Sequence, residues 1–192
     1  MIITISGSPG SGKSTIAKVL VEKLLAQRIY AGGIMRDLAR EAGMTLEEFL
    51  THMKTHPEID KSVDERAALQ ARLLEKKGQV VVVEGRTQFH FLPESIKVYV
   101  NVGSAEAARR IWKDLHSQEA KKARNEAEYD SIDLLEKSIV ERDAKDALRY
   151  KKIYGVDHRD LSHYDFVLDT TKLTPTQAVD TVLEFIKKKM KV

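Results

Sequence analysis

A glycine-rich turn near the start of the chain constrains the fold more than any other feature of this sequence. Gly7 and Gly12 stand five positions apart, and Lys13 and Ser14 follow directly. Apolar residues 2–5 precede the turn and predict a buried strand. After the turn, apolar residues recur with a period of 3.6 and predict a helix from Lys13 to about residue 26. The chain is therefore expected to run from a strand through a tight glycine turn into a helix.

This turn has the composition of a loop that grips phosphate groups. Glycines let backbone N–H groups turn inward, and the following helix adds the positive end of its dipole. Lys13 is expected to reach the β- and γ-phosphates of ATP, and the Ser14 hydroxyl to ligate Mg²⁺. The motif does not name the phosphate acceptor, because GTPases, motors and kinases all carry it. The residues expected to bind the nucleotide are Gly7, Ser8, Pro9, Gly10, Ser11, Gly12, Lys13, Ser14 and Thr15.

The rest of the chain alternates predicted strands and helices. The run Val80–Val83 is β-branched and apolar on both faces, as expected of a central strand in a parallel sheet. Further strands are predicted over 28–30, 96–102 and 164–168, and helices over 34–42, 45–56, 58–77, 105–116, 132–154 and from 174 onward. This order predicts an α/β fold of the P-loop NTPase type, an open parallel sheet with helices on both faces. Ligands of such sheets bind beyond the carboxyl ends of the strands.

Composition limits the classes of function. The 192 residues, of which 42% are hydrophobic, suit one globular domain with its own core. Charged residues make up 32% of the chain but sum to only +3, which gives no argument for a nucleic-acid or membrane partner. The absence of cysteine excludes disulfides and thiolate catalysis. With no signal-peptide pattern and no long apolar run, we expect a cytoplasmic protein. We also expect a monomer whose partners are small-molecule nucleotides.

Arginines placed near predicted strand ends indicate a second site for phosphate. Arg36 follows the second predicted strand, and Arg86 follows the central strand almost directly. Arg142, Asp146 and Arg149 fall at i, i+4 and i+7 of the long helix, so they share one face. The planar guanidinium group binds phosphate in a bidentate way. For the trio on the long helix, the alternative is a solvated face with weak ion pairs.

Several segments resemble a known family. The glycine loop, residues 30–36 and residues 84–86 are similar to those of nucleoside monophosphate kinases. Residues 141–149 contain the Arg-Asp-x-x-Asp-x-x-Arg pattern of the cytidylate kinase lid, and residues 149–157 and 169–175 resemble the archaeal type of that family. The resemblance covers nearly the whole chain apart from about residues 117–130.

The resemblance implies transfer of the γ-phosphoryl group of ATP to CMP or dCMP, with Mg²⁺ held by Ser14. Arg36 and Arg86 would hold the phosphate of CMP. Arg142 and Asp146 would face the cytidine or its sugar. The residues implied in catalysis are cationic: Lys13, Arg86, Arg142 and Arg149.

Two further arginines and a division of the chain follow from the same resemblance. Arg149 would meet the phosphates, and Arg110 would approach them from the start of the lid. The core of the single domain would comprise about residues 1–31, 78–116 and 155–192. An acceptor-binding segment would span about 32–77 and a lid region about 117–154.

Some residues depart from the family pattern and leave alternatives open. Gly33 stands where the archaeal type commonly has aspartate, and Thr87–Phe91 is an unexpected sequence after Arg86. Glu84 is expected either to order Mg²⁺ through water or to bind Arg86. Another acceptor, such as UMP, AMP or a non-nucleotide, and a nucleotide-dependent ATPase or binding switch are the alternative functions.

Overall fold

The computed structural model describes residues 1–116 and 129–190, and within these ranges five strands form one sheet. The strands are β1 (Ile2–Gly7), β2 (Gln27–Tyr30), β3 (Val81–Glu84), β4 (Ile96–Asn101) and β5 (Phe166–Asp169). Their spatial order is β2-β3-β1-β4-β5, and every neighbouring pair is parallel. The predicted α/β fold of the P-loop NTPase type is confirmed. Residues 117–128 of the predicted lid region lie outside the described residues.

Helices connect these strands and cover both faces of the sheet. They are α1 (Lys13–Leu24), α2 (Ala31–Glu41), α3 (Leu46–His52), α4 (Pro57–Lys76), α5 (Gln88–Phe91), α6 (Ser104–Leu115), α7 (Ile132–Tyr154) and α8 (Pro175–Met190). Short 3₁₀ turns lie at Met53–Thr55 and Leu161–His163. Within the described ranges, no helix combines the length and the apolar character that crossing a membrane requires.

The core lies on both faces of the sheet because successive residues of a strand point to opposite sides. On one face, Ile3 and Ile5 of β1 pack in a buried cluster that includes residues of α1 and α8. On the other face, Ile2 packs with Val81 and Val83 of β3 against small residues of α4. All six residues of β1 are buried, so this strand is the centre of both layers.

Local sequence signals explain several helix ends. Thr45 and Glu48 form a capping box at α3. The Glu48 N–H donates to the Thr45 hydroxyl at 3.2 Å, and the Thr45 N–H donates to the Glu48 carboxylate at 2.7 Å. Gly155 ends α7 in the left-handed conformation with φ 76°, where an L side chain would be strained.

Two predictions of local structure were wrong. The helix predicted over 34–42 was expected to follow a break at Gly32 and Gly33, but both glycines lie in the first turn of α2. There the ring of Tyr30 occupies the space that a side chain on Gly33 would need. The helix predicted over 105–116 was expected to start after Ser104 as its cap, but α6 already includes Ser104 and Gly103 holds the N-cap position. The short helix α5 was not predicted, because it falls in the unexpected sequence after Arg86.

The strand register brings the two candidate site segments to one edge of the sheet. Ile5 of β1 lies opposite Glu84 of β3, and Gly7 lies opposite Val100 of β4. The glycine loop and the segment from Glu84 to Arg86 therefore leave neighbouring strands side by side.

Replacement of Gly7 tests how closely β1 and β4 pack at this edge of the sheet. Gly7 has φ 142°, and a side chain here would overlap the carbonyl oxygen of Val100. Because the obstacle is backbone, Gly7→Ala should lower the free energy of unfolding by about 3 kcal/mol or more. Gly78→Ala, at φ 79° with no atom within 4 Å, should cost only about 1–2 kcal/mol. Urea denaturation compares the two variants, and equal losses would contradict this packing.

Candidate active site

A cavity of about 860 Å³ opens at the carboxyl ends of the strands. It gathers most of the residues that the sequence singled out, from segments far apart in the chain. Those lining it are Pro9, Gly10, Ser11, Gly12, Lys13, Ser14, Thr15, Arg36, Arg86, Arg110, Arg142, Asp146 and Arg149. Gly7 and Ser8 do not line it. They join the loop to the sheet, where the Ser8 N–H donates to the Val100 carbonyl oxygen at 3.2 Å.

The glycine loop adopts a conformation that depends on its glycines. Gly10 and Gly12 have φ values of 71° and 86°, in the left-handed region that L side chains rarely adopt. Gly10 also packs closely on α6, since a side chain there would come within 2.9 Å of the Ala107 backbone. Helix α1 begins directly after Gly12, so its N-terminal N–H groups face the cavity end of the loop. The loop thus presents partial positive charge to a phosphate group.

Lys13 extends back across the loop, where its Nζ donates to the Ser8 carbonyl oxygen at 2.6 Å. Burial, and after it the positive charge of Arg86, lower the pKa of Lys13 from 10.5 to about 7. The negative charges of Glu84 and Asp143 only partly oppose this shift. Lys13 is therefore held where a nearby anion would strongly favour its charged form.

Glu84 connects the loop to the neighbouring strand. Its carboxylate, 2% exposed, accepts hydrogen bonds from the Ser14 hydroxyl and from the guanidinium group of Arg28. Glu84 therefore pairs with Arg28 and not with Arg86, which was one of its two expected partners. No local pattern indicates this pairing, because Arg28 lies in a short strand at the edge of the sheet.

The oxygens of Ser14 and Glu84 suit a magnesium ion. A hydroxyl and a carboxylate are hard oxygen ligands, and Mg²⁺ is commonly bound by one or two protein groups together with substrate phosphates. No group of three or more His, Cys, Asp or Glu side chains that could hold a metal occurs in residues 1–116 and 129–190. The residues present therefore fit an ion bound largely through phosphate oxygens.

Arg86 is the centre of an ion-pair network on the facing wall. Arg86 forms ion pairs with Asp146 and, at 3.9 Å, with Asp143. Asp146 also forms an ion pair with Arg149 at 3.0 Å. Arg86 is 13% exposed, and burial lowers its pKa. The trio on α7 is thus not a solvated face, because Asp146 is buried and bridges two arginines.

Arg36 and Arg110 occupy opposite sides of the cavity. Arg36 donates to the Tyr30 hydroxyl and, at 3.1 Å, to the Gly32 carbonyl oxygen. Arg110 lies beside the glycine loop and donates to the Thr170 carbonyl oxygen at 2.7 Å and to Glu106 at 2.9 Å. Both guanidinium groups are oriented by neutral or acidic acceptors.

Two further residues near the site were missed in the sequence. His158 is fully buried, and its Nε2 lies 3.4 Å from Asp143, the carboxylate that faces Arg86. Burial lowers the pKa of His158, which favours the neutral ring. Asp143 could have been found, since it lies one turn before Asp146 on the same helix. His158 could not, because an isolated histidine after a helix carries no distinctive pattern.

This chain is similar in sequence to known proteins. A family model described as an AAA domain matches residues 3–130. A cytidylate kinase of Methanocaldococcus jannaschii is 38% identical over 173 residues, covering 90% of this chain and 89% of the relative. A cytidylate kinase of Methanopyrus kandleri is 36% identical over 200 residues, covering 96% and 95%.

Solved structures share the fold at lower identity. A shikimate kinase from Acinetobacter baumannii superposes with a TM-score of 0.57 at 16% identity, covering 98% of this chain and 93% of that one. An uncharacterised protein from Eubacterium ventriosum superposes with a TM-score of 0.64 at 17% identity, covering 97% and 98%. At these identities the likeness concerns the fold alone.

The lowered pKa of Lys13 predicts proton uptake on nucleotide binding. At about pH 8, Lys13 is mostly neutral before nucleotide is added, and adjacent phosphates raise its pKa and recharge it. MgATP binding should therefore take up close to one proton, and affinity should fall as the pH rises above about 7. Calorimetric titrations in buffers of different ionisation enthalpy measure the uptake. Lys13→Arg, which stays charged, should show none, and equal uptake by both proteins would contradict the assignment.

Proposed function

Because this chain carries an AAA domain and belongs to the cytidylate kinase family, we propose that it transfers the γ-phosphoryl group of ATP to CMP or dCMP. The observation that carries the proposal is one cavity with phosphate-binding groups on two facing walls. The glycine loop forms one wall, and the arginines after β3 and on α7 form the other. A protein that only bound or hydrolysed ATP would have no use for the second wall.

The donor is assigned to the glycine loop. Its backbone N–H groups and Lys13 would hold the β- and γ-phosphates of ATP, and Arg110 would stand at the outer side of the loop. These are fixed groups that need little rearrangement as charge moves during the reaction.

The acceptor phosphate is assigned to Arg36 and Arg86. Arg86 directly follows β3, the neighbour of the strand that leads into the loop, so a phosphate bound there would face the γ-phosphate. Arg142 and Arg149 would approach the transferring group from α7. Asp146 orients Arg86 and Arg149 and is proposed to meet the sugar of the acceptor.

Mg²⁺ is assigned to the Ser14 hydroxyl, with Glu84 holding its water ligands. When bound, the ion would neutralise charge on the phosphate oxygens of ATP. Ser14 would direct its oxygen toward the phosphates, and Arg28 would keep the Glu84 carboxylate in place beside it.

The chemistry proposed is direct transfer without a covalent intermediate. The acceptor phosphate is an anion at neutral pH, so no strong general base is required. Lys13 and the arginines supply alignment and charge stabilisation. Residues of about 32–77 would move as the acceptor-binding segment and those of about 117–154 as the lid, excluding water that would otherwise consume ATP.

The cellular setting is part of the proposal. A kinase of this acceptor would serve pyrimidine nucleotide metabolism in the cytoplasm, and the chain would act as a monomer. The substrate class supports the cytoplasmic setting, and a cavity whose phosphate-binding groups all come from one chain supports the monomer.

A panel of acceptors tests the proposed reaction. ADP release from MgATP should be fast with CMP or dCMP, slower with UMP and AMP, and near background without an acceptor. Lys13→Ala should lower turnover by at least about a hundredfold while the circular dichroism spectrum stays unchanged, because stabilisation of the transferring phosphoryl is lost. ATP hydrolysis that is unaffected by any monophosphate would overturn the proposal in favour of an ATPase or switch.

The variant Arg86→Ala tests whether Arg86 binds the acceptor and not ATP. Arg86→Ala should raise the KM for CMP by at least about tenfold and change the KM for ATP much less, because one charged hydrogen-bond partner of the acceptor phosphate is removed. Arg109→Ala is the matched control, since Arg109 is 71% exposed and does not line the cavity. Equal effects of Arg86→Ala on both substrates would place Arg86 elsewhere in the mechanism.

A further inference from the structure

The cavity extends along the sheet edge beyond both phosphate walls. Toward β5, it is lined by residues after that strand, including Leu173, Thr174 and Ala178. In the other direction, it ends among residues of α2, α3 and α4, on the side of the β2 and β3 strands. Arg86 lies on this second side of the glycine loop. A nucleotide whose phosphate binds Arg86 therefore extends its base toward α2, α3 and α4.

This second end has the shape and chemistry of a pocket for a planar base. Four apolar side chains line it: Met35, Leu46, Leu50 and Val63. Two polar residues also line it, Asp64 of α4 and Thr87, which follows Arg86. Apolar walls with a few fixed polar groups are typical of sites that orient a small ligand.

The carboxylate of Asp64 is held rigidly in this pocket. Its Oδ2 accepts from the Thr87 hydroxyl at 2.8 Å and from the Tyr154 hydroxyl at 2.9 Å, and its Oδ1 accepts from the Gln88 amide at 2.8 Å. Asp64 is 7% exposed. Three neutral donors from α7 and from the segment after β3 thus fix a negative charge at the edge of the cavity.

Gln88, which is fully buried, lies next to Asp64 but does not line the cavity. Its Nε2 donates to Asp64, and its Oε1 is buried without a hydrogen-bond partner among the residues that the structure describes. A buried acceptor of this kind is costly unless a donor satisfies it. A second acceptor therefore lies next to Asp64, outside the lining of the cavity.

We propose that Asp64 recognises the exocyclic amino group of the acceptor's cytosine ring and so selects cytosine over uracil. The assignment rests on the proposed function. Cytosine presents an amino donor at the position where uracil presents a carbonyl acceptor. The amino group joins or replaces the Thr87 hydroxyl on the carboxylate, whereas the uracil oxygen meets a negative charge and is repelled.

Other acidic residues of the cavity serve different partners. Glu84 binds Ser14 and Arg28, and Asp146 bridges Arg86 and Arg149. Glu106 binds Arg110 beside the glycine loop, on the donor side. Asp64, in contrast, lies among apolar residues of the acceptor-binding segment, where we expect the base to bind.

An acceptor analogue tests the assignment in the unaltered protein. The 5′-monophosphate of pyrimidin-2-one riboside is CMP without its exocyclic amino group. Its kcat/KM should be lower than that of CMP by at least about tenfold, because a hydrogen bond to a charged group is lost. UMP should be at least as poor as the analogue.

The variant Asp64→Asn tests whether the lower kcat/KM of the analogue depends on Asp64. In Asp64→Asn, the preference for CMP over both the analogue and UMP should shrink at least about tenfold, because an amide offers a donor as readily as an acceptor. Asp37→Asn makes the same chemical change on α2 at a carboxylate that is 61% exposed and pairs with Arg40 at 2.6 Å. It should leave the preference unchanged.

The outcomes separate this inference from the proposed function. If the unaltered protein phosphorylates CMP and the analogue equally well, the role of Asp64 is overturned and the proposed function stands. If Asp64→Asn lowers activity with CMP, UMP and the analogue by one common factor, Asp64 has only a structural role in holding α4 in place. That result also overturns the assignment. An unaltered protein inactive with CMP overturns both.

Discussion

The concentration of positive charge in one cavity is the constraint on which the rest of the structure depends. Lys13 and Arg86 are close enough that the charge of one lowers the pKa of the other. Such a cluster is costly unless acids lie beside it. Glu84, Asp143 and Asp146 are placed for this purpose, and each also fixes the direction of a cation. The acids that stabilise this cluster of positive charge therefore also orient its side chains for binding phosphate.

The sheet makes this concentration of charge possible. Parallel strands deliver their carboxyl ends to one edge, so a loop after β1 and an arginine after β3 become neighbours although about 75 residues separate them in the chain. Strands buried on both faces hold that edge rigidly. Gly7 allows β1 and β4 to approach closely where the loop begins. The rigid edge positions the glycine loop and the arginines, and the helices beyond β2 and β3 line the end of the cavity where we propose that the base binds.

Much of the fold and half of the site were predictable because their signals are local. The glycine spacing, the β-branched run before Glu84 and the Thr45 capping box each lie within a few residues. Pairings across the chain were not predictable in the same way. Glu84 binds Arg28 rather than Arg86, and Tyr30 fills the space beside Gly33, because strand order and side-chain packing decide these contacts. Asp64 carried no motif, and its position became informative only through Thr87, Gln88 and Tyr154.

The central claim is that donor and acceptor phosphates occupy facing walls of one cavity. A single molecule that joins adenosine and cytidine through five phosphates tests it most directly, because it would span both sites. The account predicts that this compound inhibits competitively against ATP and against CMP, and that one molecule binds per chain. Competition with ATP alone, with CMP still able to bind beside the compound, would contradict the two-walled site.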